Sequence, residues 1–215
     1  MRTNDGMHKE PANTRVGAVV LAAGMSTRMG TSKALLPWGS RPMIGHVIEM
    51  LASAGGITSV VVVTGHQAEQ VGTAVAGDGV RCVLNPDHAA GGMLSSFQCG
   101  ISAMAGEVDT LALVLGDQPA VRAETLRQLC DAWQRSGARL IIPTYEGQRG
   151  HPVLFAAALW SDILALRPPQ TLRDLVHGQL PGALLHPVED PGVLGDVDTP
   201  EDYRHAIAQW EQERT

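Results

Sequence analysis

The sequence predicts an α/β protein, a three-layer sandwich in which helices cover both faces of a mainly parallel sheet. From Val16 onward, short β-branched runs alternate with stretches of helical period. Several of those runs are apolar almost throughout, as strands buried on both faces are. A glycine-punctuated loop also follows the first apolar run, and in open α/β sheets ligands bind at such carboxyl ends.

The expected strands are Val16–Leu21, Ser59–Thr64, Arg81–Leu84, Thr110–Leu115 and Leu140–Pro143, with a further one at Pro152–Phe155. Helical spacing marks Met43–Ala54, Ala68–Ala76, Leu94–Ala103 and Ala123–Ser136. In the last of these, Leu126, Leu129, Cys130 and Trp133 form a stripe expected to face the core. Later helices are expected at Ala156–Leu166, at Leu172–His177 and from Pro200 to about Glu213. Thr199 is the candidate N-cap of the last, followed by proline and first-turn acids.

No internal repeat or low-complexity linker interrupts the chain, so one domain is expected over residues 16–215, after a loose, flexible leader over residues 1–15. That leader is polar and lacks the apolar stretch of a secretory signal, which makes a cytoplasmic location the expectation. No apolar run approaches the twenty or so residues a membrane helix needs. A formal net charge of −6 argues against a non-specific nucleic-acid binder but leaves room for a small anionic ligand with a few local cations. Cys82, Cys99 and Cys130 lack metal-site spacing and are expected to be buried, reduced thiols. Cys99, near a segment read as functional, leaves a catalytic thiol as an alternative.

The loop after the first strand runs from Ala22 and Ala23 through Gly24 to Arg28, Gly30 and Lys33. Glycines let backbone N–H groups approach phosphate oxygens, while Arg28 and Lys33 supply positive charge. The spacing fits neither the dinucleotide fingerprint GxGxxG nor the Walker loop, which needs lysine directly after its second glycine. A second segment, Gly116-Asp117-Gln118-Pro119, follows the apolar run Thr110–Leu115. A carboxylate there suits Mg²⁺, which takes one or two carboxylates with phosphates and water; the alternative is a helix cap. A third, Gly195-Asp196-Val197-Asp198-Thr199-Pro200-Glu201-Asp202, puts Asp196 and Asp198 on one face of an extended stretch, where one of them could share an ion with Asp117. At Gly91–Ser96, expected to be a loop-to-helix junction, Ser95 could contact a nucleotide or serve as a plain N-cap.

Taken together, LAAGMSTRMGTSK, GDQP, RGHPVLF and DVDTPED resemble the motifs of the molybdopterin nucleotidyltransferases, and most closely their molybdenum cofactor cytidylyltransferase branch. The resemblance runs from Val16 to Tyr203 with the motifs in the expected order. It implies a Rossmann-like fold of the nucleotide-diphospho-sugar transferase type and a nucleotide site at Ala22, Ala23, Gly24, Arg28, Lys33 and Ser95. It further implies Mg²⁺, or Mn²⁺ in its place, on Asp117 and Asp198, and an acceptor site at Arg149, Gly150 and His151. Catalysis would rest on Arg28, Lys33 and Asp117, with Glu201 and Asp202 as first-turn helix acids.

The implied reaction transfers CMP from CTP to the phosphate of molybdopterin and releases pyrophosphate, with a molybdoenzyme or its chaperone as downstream partner. A phosphate monoester has its second pKa near ~6, so the acceptor needs no general base. The guanylyl enzyme is the near rival, and a side chain at Ala23 is expected to narrow the room for a purine. A sugar- or polyol-phosphate nucleotidyltransferase would differ around Arg149–Phe155. A non-catalytic module that binds nucleotide and delivers cofactor would tolerate loss of Asp117.

Overall fold

The computed structural model describes residues 15–24 and 32–212. The leader through residue 14 and Arg28 lie outside the described residues.

In chain order the described elements are β1 (Val16–Ala22), the short strands β2 (Pro37–Trp38) and β3 (Arg41–Pro42), α1 (Met43–Ala54), β4 (Ile57–Thr64) and α2 (Ala68–Ala74). Then come β5 (Arg81–Leu84), α3 (His88–Met104), β6 (Thr110–Leu115), α4 (Ala123–Ser136), β7 (Leu140–Tyr145), β8 (Gln148–Arg149) and β9 (Val153–Ala156). The chain closes with α5 (Trp160–Ala165), α6 (Leu172–Gln179), β10 (Leu184–Pro187) and α7 (Pro200–Gln212).

The main sheet has the order β10-β7-β9-β6-β1-β4-β5, with β8 paired to β7. β1 lies at its centre, parallel to both β4 and β6, and β5 extends the parallel run beyond β4. β9 is antiparallel to β6 and to β7. Alternation along β1 divides the core: Val16, Ala18, Val20 and Ala22 pack towards α1, α2 and α4, while Val19 packs with Phe97, Ile101 and Met104 of α3. These are the two helical layers, and β1 is buried on both faces as its composition predicts.

Several elements fall at their expected limits, among them α1, α4, β5 and β6. Others differ for local reasons. α3 begins at His88 instead of Leu94 and bends at Gly92, whose φ of 57° and ψ of −148° only glycine adopts easily. Gly91-Gly92, read as a loop, is therefore a kink inside the helix. The helix expected over Ala156–Leu166 starts later: Ala156 pairs with Thr110 as the end of β9, and a 3₁₀ turn over Ala157–Leu159 precedes α5. β9 itself starts at Val153, one residue after Pro152, which has no N–H to give. The short β2, β3, β8 and β10 carry too few residues for a periodic signal.

A third, smaller cluster holds the C-terminal segment. Trp38 and Met43 pack with Val197, and Tyr203, Ile207 and Trp210 of α7 close over them. The Tyr203 hydroxyl donates to the Pro37 carbonyl. α7 is thereby laid on the β2–β3 hairpin, and the acidic stretch before it is brought to the tip of β6.

Of the three thiols only Cys130 is buried; Cys99 is half-buried and Cys82 exposed, because β5 is the last strand of the sheet and thinly covered. Burial pushes the Cys130 thiol up to about 12. Desolvation, aided by the charge of Asp87, also raises Cys99, which keeps it protonated and gives the thiolate alternative no support. Among the described residues no helix is long and apolar enough to cross a membrane.

Candidate active site

The site begins where β1 and β6 end side by side, with Leu21 opposite Leu115. The Gly116 N–H donates to the Leu21 carbonyl at 3.0 Å, and a Cβ at Gly116 would stand 2.8 Å from that same oxygen. Only glycine lets the chain pass here, and the next residue, Asp117, emerges beside the loop that follows β1. Ala22, Gly24, Lys33 and Asp117 line one small recess at this edge.

Lys33 opens a 3₁₀ turn anchored on both sides. The Ser32 N–H donates to Gln67 Oε1 at 3.2 Å, and Ala34 is buried. The Lys33 ammonium donates to Asp117 Oδ2 at 3.0 Å and to Asp198 Oδ1 at 2.5 Å. Desolvation works to lower its pKa, but hydrogen bonds and charges from Asp198 and Asp117 outweigh that and hold it above the ordinary lysine value. Two carboxylates from distant parts of the chain thus converge on the position of a single cation. Asp117 caps no helix, since α4 starts at Ala123 with Arg122 in the cap position.

Val197 fixes the C-terminal partner. Its N–H donates to the Asp117 carbonyl at 3.0 Å and its side chain is buried, so Asp196 and Asp198 point away from the core on either side of it. Asp198 turns to Lys33, whereas Asp196 Oδ1 accepts from Gln118 Nε2 at 2.6 Å. Partial desolvation raises the Asp196 carboxyl above its ordinary value, opposed by the Gln118 hydrogen bond and reinforced by Asp117 and Asp198. Thr199 caps α7 as expected. Its hydroxyl accepts from the Asp202 N–H at 3.1 Å, and the Asp202 carboxylate accepts from the Thr199 N–H at 2.8 Å, a capping box.

Arg149, Gly150 and His151 line a separate cleft of about 890 Å³, floored by Leu113, Ile142 and Phe155 and walled by α6 through Arg173 and His177. The chain is pinned there by backbone bonds: the Gly150 N–H to the Pro143 carbonyl at 2.9 Å, and the His151 N–H to the Val193 carbonyl at 2.9 Å. Burial lowers the His151 pKa below 6.5, with the Asp117 charge acting in the opposite sense. Val193 therefore links the cleft to the acidic stretch three residues later.

Two expected nucleotide residues sit differently. The Ala23 side chain is buried with Val61, Val63 and Phe97 in the α3-side core, so its methyl gives no steric reason to exclude a purine. Ser95 lies inside α3. Its hydroxyl accepts from Asn85 Nδ2 at 2.8 Å and donates to the Gly92 carbonyl at 3.3 Å, and it lines a different groove, with Gln98 and Cys99. It is not an N-cap. Gln67, Gln118 and Asn85 escaped the sequence reading, and only Gln118, inside GDQP, carried any signal.

Among the described residues no three histidine, cysteine or acidic side chains gather as a metal-binding group. The donor set is the pair Asp117 and Asp198, hard oxygens already converging on a cation's position. That fits a small divalent ion that completes its shell with phosphate oxygens and water. The carboxylate pair and Lys33 stand at the carboxyl ends of the parallel strands β1 and β6, with the cleft nearby, an arrangement that suits the handling of a nucleotide phosphate chain.

Fold and site together define a nucleotidyltransferase. The chain belongs to the family of the MobA-like NTP transferase domain, whose model matches residues 18–184. It is 24% identical to the molybdenum cofactor cytidylyltransferase of Escherichia coli over 87% of this chain and 93% of that protein. It is 36% identical to the bifunctional protein GlmU of Pelobacter propionicus over 63% of this chain, a match that spans only 30% of GlmU. Among solved structures, Rv0371c of Mycobacterium tuberculosis superposes with a TM-score of 0.81 at 30% identity, covering 91% of this chain and 98% of that one; a manganese complex of Rv0371c is also similar.

Proposed function

We propose that this protein is a divalent-metal-dependent cytidylyltransferase that transfers CMP from CTP to the terminal phosphate of molybdopterin, giving molybdopterin cytosine dinucleotide and pyrophosphate. The observation that carries the transfer is the convergence of Asp117 and Asp198 on one cation position at the ends of β1 and β6. The choice of acceptor is supported by the likeness to the E. coli cytidylyltransferase over nearly its whole length, against the short match to GlmU. The RGHPVLF stretch, which lines the cleft, supports it too.

Asp117 and Asp198 would hold Mg²⁺ or Mn²⁺, which when bound neutralises and orients the triphosphate. The chain's own residues do the rest. Lys33, shared by the two carboxylates in this structure, turns to the phosphates and, with Arg28, stabilises the charge that collects on the departing pyrophosphate. Arg149, Gly150 and His151 orient the acceptor. Its phosphate, already largely dianionic at neutral pH, attacks the α-phosphorus in line. No side chain need remove a proton, and catalysis is positioning plus charge. The protein is expected to act in the cytoplasm as a single catalytic domain and to hand its product to a molybdoenzyme or its chaperone.

The test is pyrophosphate release from CTP and from GTP with molybdopterin as acceptor, with the product's mass determined. A cytosine dinucleotide with CTP preferred is the expected result; a GTP preference, or transfer only to a sugar phosphate, would overturn the reading.

A further inference from the structure

Resting on the metal pair proposed above, we infer that Asp196 is not a metal ligand but a positioning residue, locked by Gln118 so that Asp198 alone is presented to the cation opposite Asp117. Gln118 is 3% exposed, and its Oε1 has no hydrogen-bond partner among the described residues. Leaving a buried carbonyl oxygen unpaired costs about 1–3 kcal/mol, so the orientation of this amide needs a reason. Its Nε2 supplies one, donating to Asp196 Oδ1 at 2.6 Å, with the Val193 carbonyl 3.5 Å away. The flipped amide would set oxygen against both acceptors. The lone oxygen is thus the consequence of a donor aimed at Asp196.

This bond also sets the register of the acidic stretch. Gln118 and Asp117 are chain neighbours, and Asp117 already holds the next residue of that stretch through the Val197 N–H. Two bonds from adjacent residues, one on each side of the Asp196–Val197 peptide, fix both the place and the rotation of the segment. Asp198 follows, and the Lys33 ammonium marks the outcome by pairing with Asp117 at 3.0 Å and with Asp198 at 2.5 Å.

The test is Mn²⁺ binding to the ligand-free protein, followed by loss of the free-ion electron paramagnetic resonance signal. Asparagine at 196 still accepts from Gln118 but is a poor substitute for a carboxylate ligand. Asp196→Asn should therefore stay within about threefold of wild type, while Asp198→Asn and Gln118→Met each weaken binding by ~10-fold or more, as loss of a supporting partner does. If Asp196→Asn weakens Mn²⁺ as much as Asp198→Asn does, Asp196 is a ligand and the inference is wrong. If folded Gln118→Met binds Mn²⁺ like wild type, Gln118 positions nothing. If neither Asp117→Asn nor Asp198→Asn affects binding, the metal pair itself falls and this inference with it.

Discussion

Lys33 and Asp198 are 165 positions apart in the chain, and their charged groups meet at 2.5 Å. With Asp117 at 3.0 Å on the other side, the ammonium occupies the place a cation held by both carboxylates would take. On the proposed function, lysine and metal would compete in the ligand-free protein and cooperate only once phosphates draw the lysine away. Lys33→Met should bind Mn²⁺ more tightly than wild type without nucleotide, yet turn over ~100-fold more slowly, the scale expected when one transition-state cation is lost. A titration of Mn²⁺ beside a steady-state assay checks both; weaker Mn²⁺ binding by the variant would contradict the competition.

Gly150 ties the cleft lined by Arg149 and His151 to the acidic stretch at a point with no room. A Cβ there would lie 2.2 Å from the Val193 carbonyl oxygen, a backbone atom that cannot swing aside. Gly150→Ala is expected to cost about 1–3 kcal/mol of stability through overpacking, read from urea unfolding. It should also raise the KM for the acceptor more than the KM for nucleotide. An unchanged unfolding midpoint would mean that the cleft gives more readily than its contacts indicate.

His151 gives the fold a pH dependence of definite sign. Burial lowers its pKa below 6.5, so between 6.5 and the folded value the unfolded chain binds more protons than the native one. This contribution is fully present above 6.5 and is lost as pH falls through that window, with Asp117 limiting the shift. Comparing wild type with His151→Gln by urea unfolding between about pH 7.5 and pH 5.5 isolates it. Wild type should lose stability faster on acidification; parallel curves would place His151 outside the linkage.

The placement of much of this candidate site was legible because it is built from residue types that have few structural uses where they stand. Asp117 after a buried strand and Lys33 in a glycine-punctuated loop were readable by position alone, and the structure brings the two together. The strands that bury both faces were equally clear from their continuous apolar runs. What remained hidden depends on the fold. The Gln118–Asp196 bond joins two segments whose proximity no local pattern encodes. The burial of the Ala23 methyl follows from which face of β1 meets α3. The helical turn through His88–Gly92 was masked by two glycines that signal a loop until packing imposes a kink.

The most direct test of the central claim is pyrophosphate release by Asp117→Ala at saturating Mg²⁺, CTP and molybdopterin. The side chain is partly exposed and caps no helix, so the variant should keep the wild-type circular dichroism spectrum while turnover is abolished. A folded Asp117→Ala protein that retains more than a few per cent of wild-type activity would contradict the account.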